Sequence, residues 1–154
     1  MSALILGADP GRKGALALID LGGHLIDVID MPDATGSALG AHIRDFIEDH
    51  GPHHVQAAWI EQVHAMPKQG VTSTFTFGAG YGALLGALGA LRIPVELRTP
   101  NVWKKAMRCS ADKGSSRQAA VQLWPDHARL FARVKDDGRA EAALIAEYGR
   151  RQGT

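Results

Sequence analysis

Four carboxylates carry the chemistry legible in this chain: Asp9, Glu61, Asp137 and Glu141. Asp9 closes the apolar run LILGA, and Glu61 closes VQAAWI in the same manner. An ionised group at the end of a buried strand costs on the order of several kcal/mol unless something compensates for it. If the two strands are parallel neighbours, about 4.8 Å apart, their carboxylates repel one another unless a cation sits between them. The last apolar-periodic segment, DDGRAEAALIAEYGRR, supplies two more acids. A helix turning about 100° per residue sets Glu141 about 40° from Asp137, on the arc of Leu144, Ile145 and Tyr148, and turns Asp136 about 100° away. Asp137 and Glu141 therefore face the sheet, opposite to where an exposed helix carries its acids. Three segments send carboxylates to one place. A cluster made only of acids suits hard divalent cations such as Mg2+ or Mn2+, and it lacks the thiol and imidazole ligands that zinc favours.

The second half of the chain has the charge to meet a polyanion. The formal net charge of +1 divides into three Lys/Arg against nine Asp/Glu over residues 1–61, a net −6, and fourteen against seven over residues 62–154, a net +7. The stretch RTPNVWKKAMRCSADKGSSR holds Arg98, Lys104, Lys105, Arg108, Lys113 and Arg117 against Asp112 alone, with Trp103 interleaved. That is a phosphate-binding composition, although a solvated helix face followed by a loop has the same charges. Other reactive residue types offer less. His50, His53 and His54 fit no zinc spacing and read as a polar loop after a helix. Cys109 is the single cysteine, so it forms no internal disulfide, and no histidine is placed beside it to activate it.

These groups need a scaffold, and hydrophobic periodicity outlines one. Strands are predicted over about 3–9, 14–20 and 24–30, an antiparallel meander punctuated by DPGRKG and LGG. A helix follows, with Thr35 or Ser37 as N-cap, Leu39, Ile43, Phe46 and Ile47 on its apolar stripe, and Gly51 and Pro52 as its stop. A strand over 55–61 leads to a helix that begins by about Phe77, with Tyr81, Leu84, Leu85 and Leu88 on one stripe and Gly78, Gly82, Gly86 and Gly89 on another. Helical glycines cost about 1 kcal/mol each relative to alanine. Close approach of another backbone, from the sheet or from a second copy, is the expected compensation. IPVELR is a fifth strand, TPNVWKKAM a short helix with Pro100 near its first turn, SSRQAAVQLWP another helix, and the acid-bearing segment the last.

The order βββαβαβααα predicts an α/β fold: a mixed five-stranded sheet, a three-strand antiparallel meander plus parallel strands, flanked by helices. At 154 residues, with no internal repeat, low-complexity tract or linker, the chain reads as a single domain over 1–154 with a core that needs no staples. No charged-then-apolar leader and no uninterrupted apolar run of about 18 residues is present. The expectation is a soluble cytoplasmic protein with no membrane association.

ILGADPGRKGALALID with Asp9, AAWIEQVHAMPKQG with Glu61, and KDDGRAEAALIAEYG stand in an order and spacing that is specific as a set. Together with IPVELRTPNVWKK, they give the chain a resemblance, over nearly its whole length, to the RuvC-type Holliday junction resolvases of the ribonuclease H-like fold, especially their phage-like members. The resemblance implies a homodimeric endonuclease that cuts two strands of a four-way DNA junction. It makes Asp9, Glu61, Asp137 and Glu141 the catalytic residues and the ligands of two Mg2+ ions, with Mn2+ as a substitute, in an in-line attack of water on phosphate that needs no covalent nucleophile. It also places His64, Lys68, Lys104, Lys105, Arg108, Lys113 and Arg117 at the DNA, where the basic side chains hold phosphates rather than read bases.

Two departures from the family pattern stand out. Bacterial members carry two acids three residues apart on the last helix, whereas Gly138 stands three before Glu141, which moves the fourth ligand to Asp137. His64 stands where they present an aromatic wedge, so stacking at the crossover is weaker or passes to Phe75 or Phe77. Rival readings also exist. DPGRKGALALID resembles the phosphate loop of sugar kinases and actin-like ATPases, which share the core but normally need a second such lobe, and no second copy occurs here. Another ribonuclease H-like nuclease, acting on RNA or on a different branched DNA, would use the same acids. A junction binder without catalysis would have no reason to keep them buried.

Overall fold

Alternation along the first strand, β1 (Leu4–Asp9), sorts its side chains into two cores. Leu4, Leu6 and Ala8 pack on one side of the sheet, and Ile5 packs on the other. In the computed structural model, which describes residues 3–64, 67–112 and 114–153, β1 is the central strand. β2 (Ala15–Asp20) and β3 (Leu25–Asp30) form the antiparallel meander beside it, and β4 (Val55–Glu61) and β5 (Val95–Arg98) add in parallel on its other edge. The order is β3-β2-β1-β4-β5, the mixed five-stranded sheet that the sequence predicts.

Helices cover both faces. α1 (Gly36–Asp49) and α2 (Val71–Ala90) pack on the side of Leu6, Leu18 and Ile60, burying Ile43, Ile47, Leu84 and Leu88. α3 (Pro100–Ala106), α4 (Ser115–Leu123) and α5 (Asp137–Arg151) lie on the other side, over Ile5, Ala17 and Trp59. Thr35 is the N-cap residue of α1, but its side chain makes no capping bond. No helix among the described residues is long and apolar enough to cross a membrane.

Two expectations are corrected. α2 begins at Val71, six residues earlier than the apolar stripe suggests, because its first turn is held by polar contacts. The Thr74 backbone N–H and hydroxyl both donate to the Gly70 carbonyl at 2.9 Å. The glycine stripe of α2 does not pack on the sheet: a Cβ at Gly78, Gly82, Gly86 or Gly89 would meet nothing within 4 Å. The close backbone approach occurs instead at Gly7 of β1. A Cβ there would run into the Ala142 carbonyl and the Ala146 nitrogen, so α5 sits directly on the central strand.

Candidate metal centre and nucleic-acid face

That contact brings α5 to the ends of two strands. β1 and β4 are parallel neighbours with Gly7 opposite Trp59 and Ala8 opposite Ile60, so Asp9 and Glu61 end adjacent strands. By strand alternation both point to the α5 face, the side of Ile5, Ala57 and Trp59. Glu141 comes down from the first turns of α5. The three carboxyl groups each offer an oxygen, and these oxygens lie within 4.8 Å of one another. No other group of three acidic, histidine or cysteine side chains among the described residues converges in this way.

The cluster holds more negative charge than its surroundings neutralise. Burial, followed by the charges of Glu141 and Glu61, pushes the Asp9 carboxyl well above the ordinary carboxylate range. Burial and the Glu141 charge raise Glu61 as well, against the opposing pull of Lys104. Lys104 Nζ lies 3.5 Å from Glu141 Oε1, one cation facing three acids. A hard divalent cation fits this donor set: every donor is a carboxylate oxygen, and the charge it would bring is the charge the site lacks.

Asp137 stands apart from that cluster. It is the first residue of α5, one turn before Glu141, and its Oδ1 accepts a hydrogen bond from Arg117 Nε at 2.7 Å. It shares with Glu141 a small cavity of about 140 Å3, also lined by Lys104, Asp112 and Ser116. The position three before Glu141 is closed to any side chain, because a Cβ at Gly138 would collide with the Lys13 carbonyl in the β1–β2 turn.

Asp136, which helical phase turns about 100° from Asp137, lies outside that cluster but is buried. It is 1% exposed and accepts from the Arg133 backbone N–H at 2.9 Å and from Arg133 Nη2 at 2.9 Å, with Arg139 Nη1 at 3.8 Å. Burial works against its ionised form, but the Arg133 hydrogen bonds outweigh that and hold the carboxyl below the ordinary range. The reason is local. Asp136 ends a 3-10 turn, Val134–Asp136, so the phase of α5 does not extend back to it.

The basic segment begins beside the acids, since Arg98 is paired with Glu61 across β4 and β5. Arg98 lies over the Trp59 ring, 4.7 Å from its centroid. Lys104 and Arg117 turn inward to Glu141 and Asp137, whereas Lys105, in the last turn of α3, and Arg108, just after it, are exposed. Lys68 and His64 are exposed on the connection between β4 and α2, and Lys113 lies outside the described residues. Of the two aromatics offered as replacements for the wedge, Phe75 is 78% exposed, while Phe77 stacks on Tyr81. Both line a cavity of about 730 Å3 between the turn after Asp9 and α2, on the α1–α2 side of the sheet, and the clustered carboxylates are not among its walls.

The remaining candidates settle simply. His50 points Nδ1 at the Phe46 carbonyl, 3.0 Å away, and Nε2 at Asp27, 3.3 Å away, an arrangement within the scaffold. Burial pushes the Cys109 thiol up, away from a nucleophilic thiolate. Sequence reasoning missed that Lys104 and Arg117 face acids. Strand adjacency was the available signal: a helix that follows the parallel neighbour of β4 emerges next to Glu61.

No family model matches the sequence, and no curated protein does. Solved structures do. T. thermophilus RuvC in complex with Holliday junction substrate is similar over 99% of this chain and 97% of that one, at 19% identity and a TM-score of 0.63. The Thermus thermophilus RuvC structure gives the same identity and TM-score over 98% and 97%. YeaZ from Pseudomonas aeruginosa aligns over 69% of this chain and 47% of that one, at 18% identity and a TM-score of 0.43. The chain has the RuvC-type, ribonuclease H-like fold.

Proposed function

We propose that this protein is a metal-dependent endonuclease that resolves four-way DNA junctions, acting as a homodimer in the cytoplasm with each active site cutting one strand. The observation that carries the reading is the convergence of Asp9, Glu61 and Glu141 from two parallel strands and a helix. The full-length likeness to RuvC, solved in one case with Holliday junction substrate, supports the choice of nucleic acid. Asp9, Glu61 and Glu141 would hold Mg2+ or Mn2+, with Asp137 as the fourth ligand of a two-ion site. When bound, such ions supply Lewis-acid activation of water and neutralisation of charge at the scissile phosphate.

The chain's own groups do the rest. Asp9, half-buried, and Glu61, buried, stand at the ends of two core strands, which fixes their carboxylates on rigid elements. Lys104 limits the repulsion that an approaching phosphate would meet at Glu141. Lys105 and Arg108, exposed at the end of α3 and just after it, give the backbone of a junction arm its positive contacts, with Lys68, Lys113 and His64 as further contacts. Recognition of a branched shape needs no base code.

The test is incubation in Mg2+ with labelled four-way junctions, linear duplex, flaps and RNA–DNA hybrid. Paired incision of the junction and little cutting of the others is the expected result. Equal cutting of duplex or hybrid would make the protein a general nuclease of this fold, and junction binding without incision would remove the catalytic reading.

A further inference from the structure

Asp137 and Arg117 satisfy each other outside the carboxylate cluster, whereas the proposed reaction needs Asp137 in the metal site and the family resemblance sets Arg117 at the DNA. Asp137 stands one turn before Glu141 and lines the same small cavity, yet among the described residues only Asp9, Glu61 and Glu141 converge. Its Oδ1 is held by Arg117 Nε at 2.7 Å. Its neighbour cannot replace it, because Gly138 backs onto the Lys13 carbonyl. Arg117 projects from α4 and, among the described residues, hydrogen-bonds to Asp137 and to the Ala132 carbonyl, at 3.4 Å. A guanidinium offers the same planar fork to a carboxylate and to a phosphate, so a phosphate can take the place of the carboxylate without leaving the donors unpaired.

We propose that Arg117 is a positioning residue: it keeps Asp137 out of the metal site in the free protein and releases it to that site when a backbone phosphate of the nucleic acid takes the guanidinium. The inference rests on the metal-dependent nuclease reading above and adds that the site is completed only on the bound substrate. By linkage, metal loading strengthens phosphate binding by the same factor as phosphate binding strengthens metal loading. The device would restrain the free enzyme and make cleavage depend on engagement of the α4 side of the molecule.

The test is a Mn2+ titration of the full chain without nucleic acid, read from the electron paramagnetic resonance signal of unbound Mn2+. Arg117→Ala should bind Mn2+ about tenfold more tightly than wild type, the order of one ligand's contribution. The double variant Arg117→Ala, Asp137→Asn should return to the wild-type affinity, and Arg117→Lys, which keeps a cation beside Asp137, should stay near it. Arg117→Gln repeats the measurement with a side chain that fills more of the site, and thermal unfolding confirms that each variant is folded. Saturation with a four-way junction made uncleavable by phosphate substitution should tighten Mn2+ binding about tenfold more in wild type than in Arg117→Ala. Wild-type affinity in both Arg117→Ala and Arg117→Gln, or a gain that persists in the double variant, would overturn this inference and leave the nuclease reading standing. If wild type bound no Mn2+ under any of these conditions, both would fall.

Discussion

Asp9 and Glu61 close adjacent parallel strands on one face of the sheet, and their carboxyl oxygens lie within 4.8 Å of one another. With Glu141 on the same spot, the fold gathers three carboxyl groups where burial already disfavours the ionised forms of Asp9 and Glu61. Such an arrangement is destabilising in the metal-free protein, and its cost depends on pH.

Asp9 is the place to measure that cost. Its folded-state proton affinity is raised, chiefly by burial and then by Glu141 and Glu61, so the folded chain binds this proton more tightly than the unfolded chain does. The contribution to stability is therefore fully present below the ordinary carboxylate range and is lost as pH rises through the raised value. Asp9→Asn removes the dependence. In EDTA, the melting temperature of Asp9→Asn relative to wild type should climb between pH 4 and pH 8, by about 3 °C for each kcal/mol relieved. Asp136 and Glu147, whose carboxyls arginines hold below the ordinary range, act in the opposite sense but are common to both proteins and cancel in the difference. A difference that stays flat with pH would mean that Asp9 is not burdened in the apo fold.

Divalent cations should reverse that ranking. At a hundred times its dissociation constant a ligand adds about 2.7 kcal/mol to the folded state, so saturating Mg2+ or Mn2+ should raise the melting temperature of wild type well above its EDTA value. Asp9→Asn and Glu141→Gln should show little of that rise, and neither should cut DNA. An equal rise in all three proteins would place the bound cation somewhere other than the cluster.

Much of this site was legible in the sequence because it depends on local periodicity. The period of two in LILGAD and VQAAWIE sets Asp9 and Glu61 on the face of Ile5, Ala57 and Trp59, and the helical period sets Glu141 on the stripe of Leu144 and Ile145. What failed was extrapolation past an element's end. Asp136 lies in the turn before α5, where Arg133 and Arg139 decide its surroundings, and α2 starts at Val71, where the Thr74 N–H and hydroxyl donate to the Gly70 carbonyl, rather than where the apolar stripe begins. The Arg117–Asp137 pair joins residues twenty apart through the packing of α4 on α5, a contact that no local pattern encodes.

The collision predicted at Gly138 makes a sharp test of how α5 is seated. Gly138→Ala puts a Cβ against the Lys13 carbonyl, and a backbone obstacle cannot move aside as a flexible side chain can. Overpacking costs about 1–3 kcal/mol, and this change should reach the upper end of that range in urea unfolding. Gly138→Asp should be at least as damaging, so it cannot restore an acid three residues before Glu141. Wild-type stability in Gly138→Ala would show that α5 stands further from the β1–β2 turn.

The exposed cations can be separated from the committed ones by salt. Lys105 and Arg108 are exposed, whereas Arg139 forks onto both oxygens of Asp30 at 2.7 and 2.9 Å. For duplex DNA, log K falls with log salt by about 0.9 for every phosphate neutralised. Lys105→Ala and Arg108→Ala should each flatten that slope for junction binding by about one unit, equally for junctions of different arm sequence, with the melting temperature unchanged. Arg139→Ala should do the reverse, lowering stability through the loss of Asp30 and leaving the salt slope as it was. If Arg139→Ala flattened the slope and the other two did not, the DNA would run along the β3 edge of the sheet instead of along α3 and the turn that follows it.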